Sequence, residues 1–134
     1  MLSPYRVLDL TDHRGEIAAM ILGDMGADVI KIEPPGGSPG RRQGPFTYRA
    51  LDGQHNGQES LQFLAYNRNK RSIILDFEDQ GDRDCLMTLV AGADFVFESG
   101  FPGELAAHGI SYDELKAVNP TIVHVMLTPY GFDG

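Results

Sequence analysis

The chain has no tryptophan and a single cysteine, Cys85, among its 134 residues. One thiol excludes an internal disulfide framework and fits a reducing compartment. No stretch approaches the roughly 18 to 20 continuous apolar residues of a membrane-spanning helix. The start, Met1-Leu2-Ser3-Pro4-Tyr5-Arg6, has no charged segment followed by a long apolar one, so no signal peptide is expected. These absences favour a cytoplasmic protein without a membrane partner. Basic residues are also scarce: eleven Lys and Arg stand against nineteen Asp and Glu, a formal charge of −8. Nucleic-acid binding needs a cationic surface to displace phosphate counterions, so no nucleic-acid partner is expected. His13, His55, His108 and His124 are scattered, with no second ligand at metal-binding spacing, which argues against a metal site. The chain also lacks a Walker phosphate loop, a Gly-x-Ser-x-Gly elbow and a Gly-x-Gly-x-x-Gly fingerprint.

What is present is the pattern of an α/β domain. Apolar residues make up 42% of the chain, enough for one domain with a core. Tyr5–Leu10 reads as a strand and 11–15 as a turn. A helix follows with Ala18, Ile21, Leu22 and Met25 on one face, and Gly26 ends it. Asp28–Ile32 is a second strand, giving a strand–helix–strand unit that favours a parallel pair. Residues 34–60, with six glycines and four prolines, read as a long loop. After the apolar patch Leu61–Tyr66 come the strand Ser72–Asp76 and a helix capped by Asp79, with Cys85, Leu86, Leu89 and Val90 on one face. Cys85 is therefore expected in the core. Asp94–Glu98 is another strand, Pro102 opens a short helix ending at Gly109, and Ser111 to Glu114 is a capping box. Thr121–Leu127 is the last strand. The alternation predicts a Rossmann-like three-layer fold with a largely parallel sheet, all of 1–134 belonging to one domain.

Ligands of parallel sheets bind beyond the carboxyl ends of the strands. Three turns fall there. In the first, 11–16, Gly15 stands alone. In the second, 33–44, Arg41 and Arg42 sit among glycines; the turn reads either as a phosphate cradle or as a solvated loop. The third, 98–103, precedes the short helix and offers either amide groups to an anion or an ordinary capped connection. The basic cluster Arg68, Lys70, Arg71 either faces phosphates or pairs with the excess carboxylates. Asp9 and Asp76, at strand ends, are expected to accept from neighbouring backbone amides rather than to catalyse. No catalytic constellation emerges from the residues themselves.

Several segments in order resemble the class III CoA-transferases, the CaiB/BaiF family. They are Val7-Leu8-Asp9-Leu10, the run from Leu22 through Gly-Asp-Met-Gly-Ala-Asp-Val-Ile-Lys-Ile-Glu-Pro-Pro-Gly to Gly37, and Asn67-Arg68-Asn69-Lys70-Arg71-Ser72 with the strand to Asp76. Ala93 to Glu98, Pro102-Gly103 and Leu115 to Pro120 follow. The resemblance implies a Rossmann-like large domain of an interlocked homodimer. It implies transfer of coenzyme A between an acyl-CoA and a carboxylic acid through an aspartyl-CoA thioester, a carboxylate nucleophile dividing the exchange into two acyl transfers. It also leaves open a 2-methylacyl-CoA racemase, which uses a His/Asp pair.

Carried over by position, Arg14 and Gly15 lie along the coenzyme A. Leu75, Asp76, Phe77 and Glu78 lie near its adenosine end, and Ser99, Gly100 and Phe101 beside its pantetheine or phosphates. The sequence departs from the pattern in four places. The first turn reads Gly15-Glu16 where the family continues Gly-Pro, and the Glu-Asn-Phe motif reads Glu98-Ser99-Gly100-Phe101. Two basic positions that meet phosphates in some members hold Pro34 and Ala107, with Arg41, Arg42 or His108 as substitutes. The family's nucleophilic aspartate and the racemases' His/Asp pair both fall beyond Gly134. The expectation is a fragment that supplies part of the coenzyme A site and no catalytic residue, with a non-catalytic binding or assembly module as the alternative.

Overall fold

The computed structural model describes residues 1–48 and 58–131. His55, the middle of the stretch read as a loop, and residues 132–134 lie outside the described residues. The main sheet is built from β1 (Arg6–Leu10), β2 (Asp28–Glu33), β5 (Lys70–Ile74), β6 (Phe95–Ser99) and β7 (Val123–Leu127). Its order is β5-β2-β1-β6-β7, every neighbouring pair parallel. The chain starts in the centre, builds outward to β5, then returns to build the other half. The order therefore reverses between β1 and β6, which creates a crevice at their carboxyl ends.

Strand alternation sorts the side chains onto two faces. Val7, Val29 and Phe97 pack with Ala19 of α1 (Glu16–Asp24). Leu8, Ile30, Ile32 and Val96 pack with Leu86 and Val90 of α3 (Gln80–Val90) and Leu115 of α4 (Tyr112–Val118). The predicted three-layer α/β fold with a parallel sheet is thus observed. Its punctuation is local chemistry. Asp79 accepts from the Asp82 amide at the start of α3, and Ser111 and Glu114 form the expected capping box of α4. Gly26 turns the chain out of α1 with φ 101°, a conformation that costs a side-chain-bearing residue energy.

Several details differ from the sequence reading. The buried face of α1 holds Glu16, Ala19, Met20 and Gly23, whereas Ile21 is 48% and Met25 38% exposed. The helix is rotated because Glu16 points inward to buried cations described below. Cys85 is exposed rather than in the core, since Leu86 and Val90 alone of its expected face are fully buried. Residues 34–60 are not uniformly loop: they hold a 3-10 turn, Pro39–Arg42, and an antiparallel pair, β3 (Phe46–Tyr48) with β4 (Gln58–Ser60). The patch after it is a helix, α2 (Leu61–Tyr66), capped by Ser60. β5 begins two residues earlier than expected, at Lys70. No helix begins at Pro102; only the 3-10 turn Ala106–His108 forms before Gly109.

The two faces of the helical layer separate in a stability test. Leu86→Ala, at a fully buried position, is expected to cost about 2–5 kcal/mol in urea denaturation. Ile21→Ser, on the outward face of α1, is expected to stay within about 0.5 kcal/mol of the parent chain.

Candidate functional site

Beneath the carboxyl ends of β1 and β2, beside the start of β5, lies a cluster of buried charges. Asp9, Lys31 and Lys70 all point to the α1 face, where Glu16 meets them. Lys31 Nζ lies 3.6 Å from Asp9 and 3.4 Å from Glu16, and its side chain is 1% exposed. It also donates to the Thr11 carbonyl. Lys70 Nζ donates to Asp9 at 2.7 Å, to the Glu16 carbonyl and to Asn67. Two ammonium and two carboxylate groups thus offset one another in a space that excludes water. Burial pushes the Lys70 ammonium below its ordinary range, and the Asp9 charge opposes that shift. As expected, Asp9 also accepts from the Thr11 amide.

The cluster shapes the loops above it. Ser38 Oγ lies 3.2 Å from Glu16, and Gly40 packs so tightly there that a Cβ would come within 2.9 Å of the Glu16 carboxylate. Next to it Glu33 ends β2. Arg41 grips Glu33 with two bonds of 2.6 and 2.7 Å, while its guanidinium lies 4.1 Å over the Phe63 ring. Burial opposes ionisation of Glu33, but bonds from Arg41, the Ser38 amide and Ser72 outweigh it and lower its pKa to about 2.

At the reversal of strand order, β1 and β6 are tied across the crevice. The Asp12 amide donates to Ser99 Oγ at 2.8 Å, and that hydroxyl donates back to Asp12 Oδ1 at 2.9 Å. Arg14 chelates the same carboxylate through Nε and Nη2. Burial opposes ionisation of Asp12, but the bonds from Arg14 and Ser99 outweigh it and lower its pKa to about 2. The resulting crevice holds about 230 Å³. Leu10, Thr11 and Asp12 line it from β1, Ile32, Glu33 and Pro34 from β2, and Glu98 to Phe101 from β6. Phe77, Glu104 and Leu105 close it.

Of the positions marked by the resemblance, Phe77, Ser99, Gly100 and Phe101 meet in this crevice. Phe101 is 72% exposed at its mouth. Arg14 and Gly15 sit at its edge in the first turn, Arg14 engaged by Asp12 and Gly15 packed on Thr11. Leu75 is buried in the core, Asp76 accepts from the Glu78 amide, and the Glu78 side chain faces solvent 3.5 Å from His108. Those three do not line the crevice. The basic cluster pairs with carboxylates: Arg68 with Asp24, Lys70 with Asp9, Arg71 with Asp28. Arg41 is committed to Glu33, and Arg42 donates to the Gly36 carbonyl. Residue-level reading missed Lys31 as a site-forming group and had Glu16, Glu33 and Glu98 only as bounds of the three turns. The only trace of them in the sequence is a charge inside an otherwise apolar strand or at a helix start.

The α/β fold agrees with the comparisons. A sequence model of CoA-transferase family III matches residues 2–134. The chain belongs to that family. It is 40% identical over 132 residues to the succinyl-CoA:(R)-benzylsuccinate CoA-transferase subunit BbsE of Thauera aromatica, covering 98% of this chain and 31% of that protein. It is 37% identical to the succinyl-CoA:glutarate CoA-transferase of Homo sapiens, covering 99% of this chain and 29% of that protein. Among solved structures it resembles a CAIB/BAIF family protein from Brucella suis, with a TM-score of 0.88 and 36% identity over 99% of this chain and 34% of that one. The chain thus spans about a third of the length of these relatives. No helix among the described residues is long and apolar enough to cross a membrane.

Two measurements test the electrostatics. Lys31→Met leaves Asp9 and Glu16 buried with Lys70 as the remaining cation, so it is expected to destabilise the fold by about 3–5 kcal/mol in denaturant. Glu33 has a folded pKa of about 2 against an ordinary 4.5, so its contribution is full above 4.5 and is lost as pH falls towards 2. Thermal scans are therefore expected to show a Tm that drops across that acid window, and a shallower drop in Glu33→Gln.

Proposed function

We propose that the parent protein transfers coenzyme A between a CoA thioester and a carboxylic acid through an aspartyl-CoA thioester, and that this chain supplies part of the coenzyme A site. The observation that carries the reading is the crevice where strand order reverses, with Phe77, Ser99, Gly100 and Phe101 around it. Among its described lining residues there is no Lys or Arg, and Asp12, Glu33, Glu98 and Glu104 are acidic. Such a crevice suits an uncharged stretch of the coenzyme, the pantetheine amides or the adenine, with the phosphates turned outward past Arg14.

The carboxylates at the crevice are poor nucleophiles. Asp12 is chelated by Arg14 and Glu33 by Arg41. Charge-assisted pairing stabilises the anion and lowers its reactivity. That supports an aspartate nucleophile contributed by other residues of a full-length, homodimeric, cytoplasmic enzyme. The same pairing, with Pro34 and Ala107 where some relatives place cations, favours a second reading in which this chain is a non-catalytic binding or assembly module.

Calorimetry with coenzyme A separates the two. The expected result is saturable binding that weakens about fivefold or more in Phe101→Ala, the size of a lost aromatic contact. No binding at millimolar coenzyme A overturns the coenzyme-site reading and leaves the module. Incubating the chain with an acyl-CoA and an acceptor acid is expected to give no turnover, and turnover would show that a nucleophile lies within it.

A further inference from the structure

Glu98 has a second side. On the face of the sheet that carries α3 and α4, a cavity of about 490 Å³ is lined by Glu98, Ala106, Ile110, Tyr112, His124 and Met126 among others. The register places His124 opposite Val96 and Met126 opposite Glu98, so the strands present all three polar and sulfur-bearing side chains to one side. His124 is held by stacking on Tyr112, ring centroids 6.0 Å apart and planes 12° from parallel. Its Nε2 lies 3.4 Å from Glu98 Oε2. The side chains are 10% and 5% exposed, and neither of these two atoms has a hydrogen-bond partner. Buried polar atoms are ordinarily satisfied, so a facing pair left without partners marks a place where something else completes them.

The chemistry of that missing group is constrained. With its proton on Nε2, His124 offers a donor; Glu98 offers an acceptor. A hydroxyl answers both at once, accepting from His124 and donating to Glu98. The rest of the cavity is mostly apolar, from Ala106, Ile110, the Tyr112 ring and Met126, and its further polar side chain, Ser111, already accepts from the Glu114 amide. One water fills a small part of such a volume, and an apolar wall gives further waters nothing to bond. A small-molecule site of this size, apolar with a few convergent polar atoms, is the usual form of a ligand pocket.

We propose that the Glu98–His124 cavity is a second binding site, taking a ligand with a short branched aliphatic body and one hydroxyl. The hydroxyl bridges Glu98 Oε2 and His124 Nε2, and the aliphatic part lies against Ile110, Ala106 and Met126. The proposal does not rest on coenzyme A binding in the crevice, so the two readings fail separately.

The probe is 2-butanol, titrated into the 134-residue chain and followed by NMR of methyl groups and the histidine ring. Butanone, which accepts a hydrogen bond but cannot donate one, is titrated in parallel. The expected result is saturable shifts at Ala106, Ile110, Met126 and the His124 ring. Butanone is expected to bind about fivefold more weakly, the scale of one lost hydrogen bond. His124→Phe, which keeps the stacking on Tyr112, is expected to remove the preference for the alcohol. Should that variant fail to fold, Ala106→Leu fills the cavity from an exposed turn and is expected to abolish binding with Glu98 and His124 intact. Shifts that grow linearly without saturating, shifts centred elsewhere, or equal affinity for butanone overturn the proposal.

Discussion

Four charged side chains are closed between the sheet and its first helix, and much of the site hangs from them. Lys31 and Lys70 on neighbouring strands answer Asp9 on the central strand and Glu16 on α1. Leaving any of the four unpaired in that space costs several times what a surface pair contributes. The register of β1, β2 and β5 and the rotation of α1 are therefore fixed together. The same atoms reach upward: Lys31 holds the Thr11 carbonyl, and Glu16 holds the turn that contains Ser38 and Gly40. The loops around the crevice rest on an electrostatic floor rather than on apolar packing alone.

Above that floor, the crevice follows from connectivity. Strands that run outward in both directions from β1 leave its carboxyl end and that of β6 without a crossing connection between them. The Asp12–Ser99 exchange of hydrogen bonds sets their separation, and Arg14 fixes the Asp12 carboxylate. Arg41 performs the matching task for Glu33 at the end of β2. Asp12 and Glu33 can share one crevice because each is given its own guanidinium. An acidic chain thereby forms a ligand-sized opening without a cationic lining.

The fold was legible because its signals are local. Short apolar strands, the Asp79 cap, the Ser111–Glu114 capping box and Gly26 act within a few residues of themselves, and each appears at or within two residues of where the pattern placed it. The resemblance motifs located the crevice segment Ser99–Phe101 and Phe77. The inward face of α1 was misread because a helical hydrophobic stripe counts Ile21 and Met25 and has no place for a buried Glu16. Lys31, between Ile30 and Ile32, carries no mark of burial; its partners are 22 and 15 positions away by numbering and meet it only in three dimensions. The helix expected at Pro102 failed for a related reason. Glu104 turns back onto the Phe101 amide, and the segment closes as turns instead of winding further.

Glu98 is a wall shared by two rooms. One surface of its side chain borders the crevice at the strand reversal, and the other faces His124 in the cavity behind. A ligand that reorients Glu98 from either side changes the free energy of occupying the other. By thermodynamic linkage the effect is equal in both directions. With ligands in both the crevice and the proposed cavity, this one carboxylate at the end of β6 couples their occupancies.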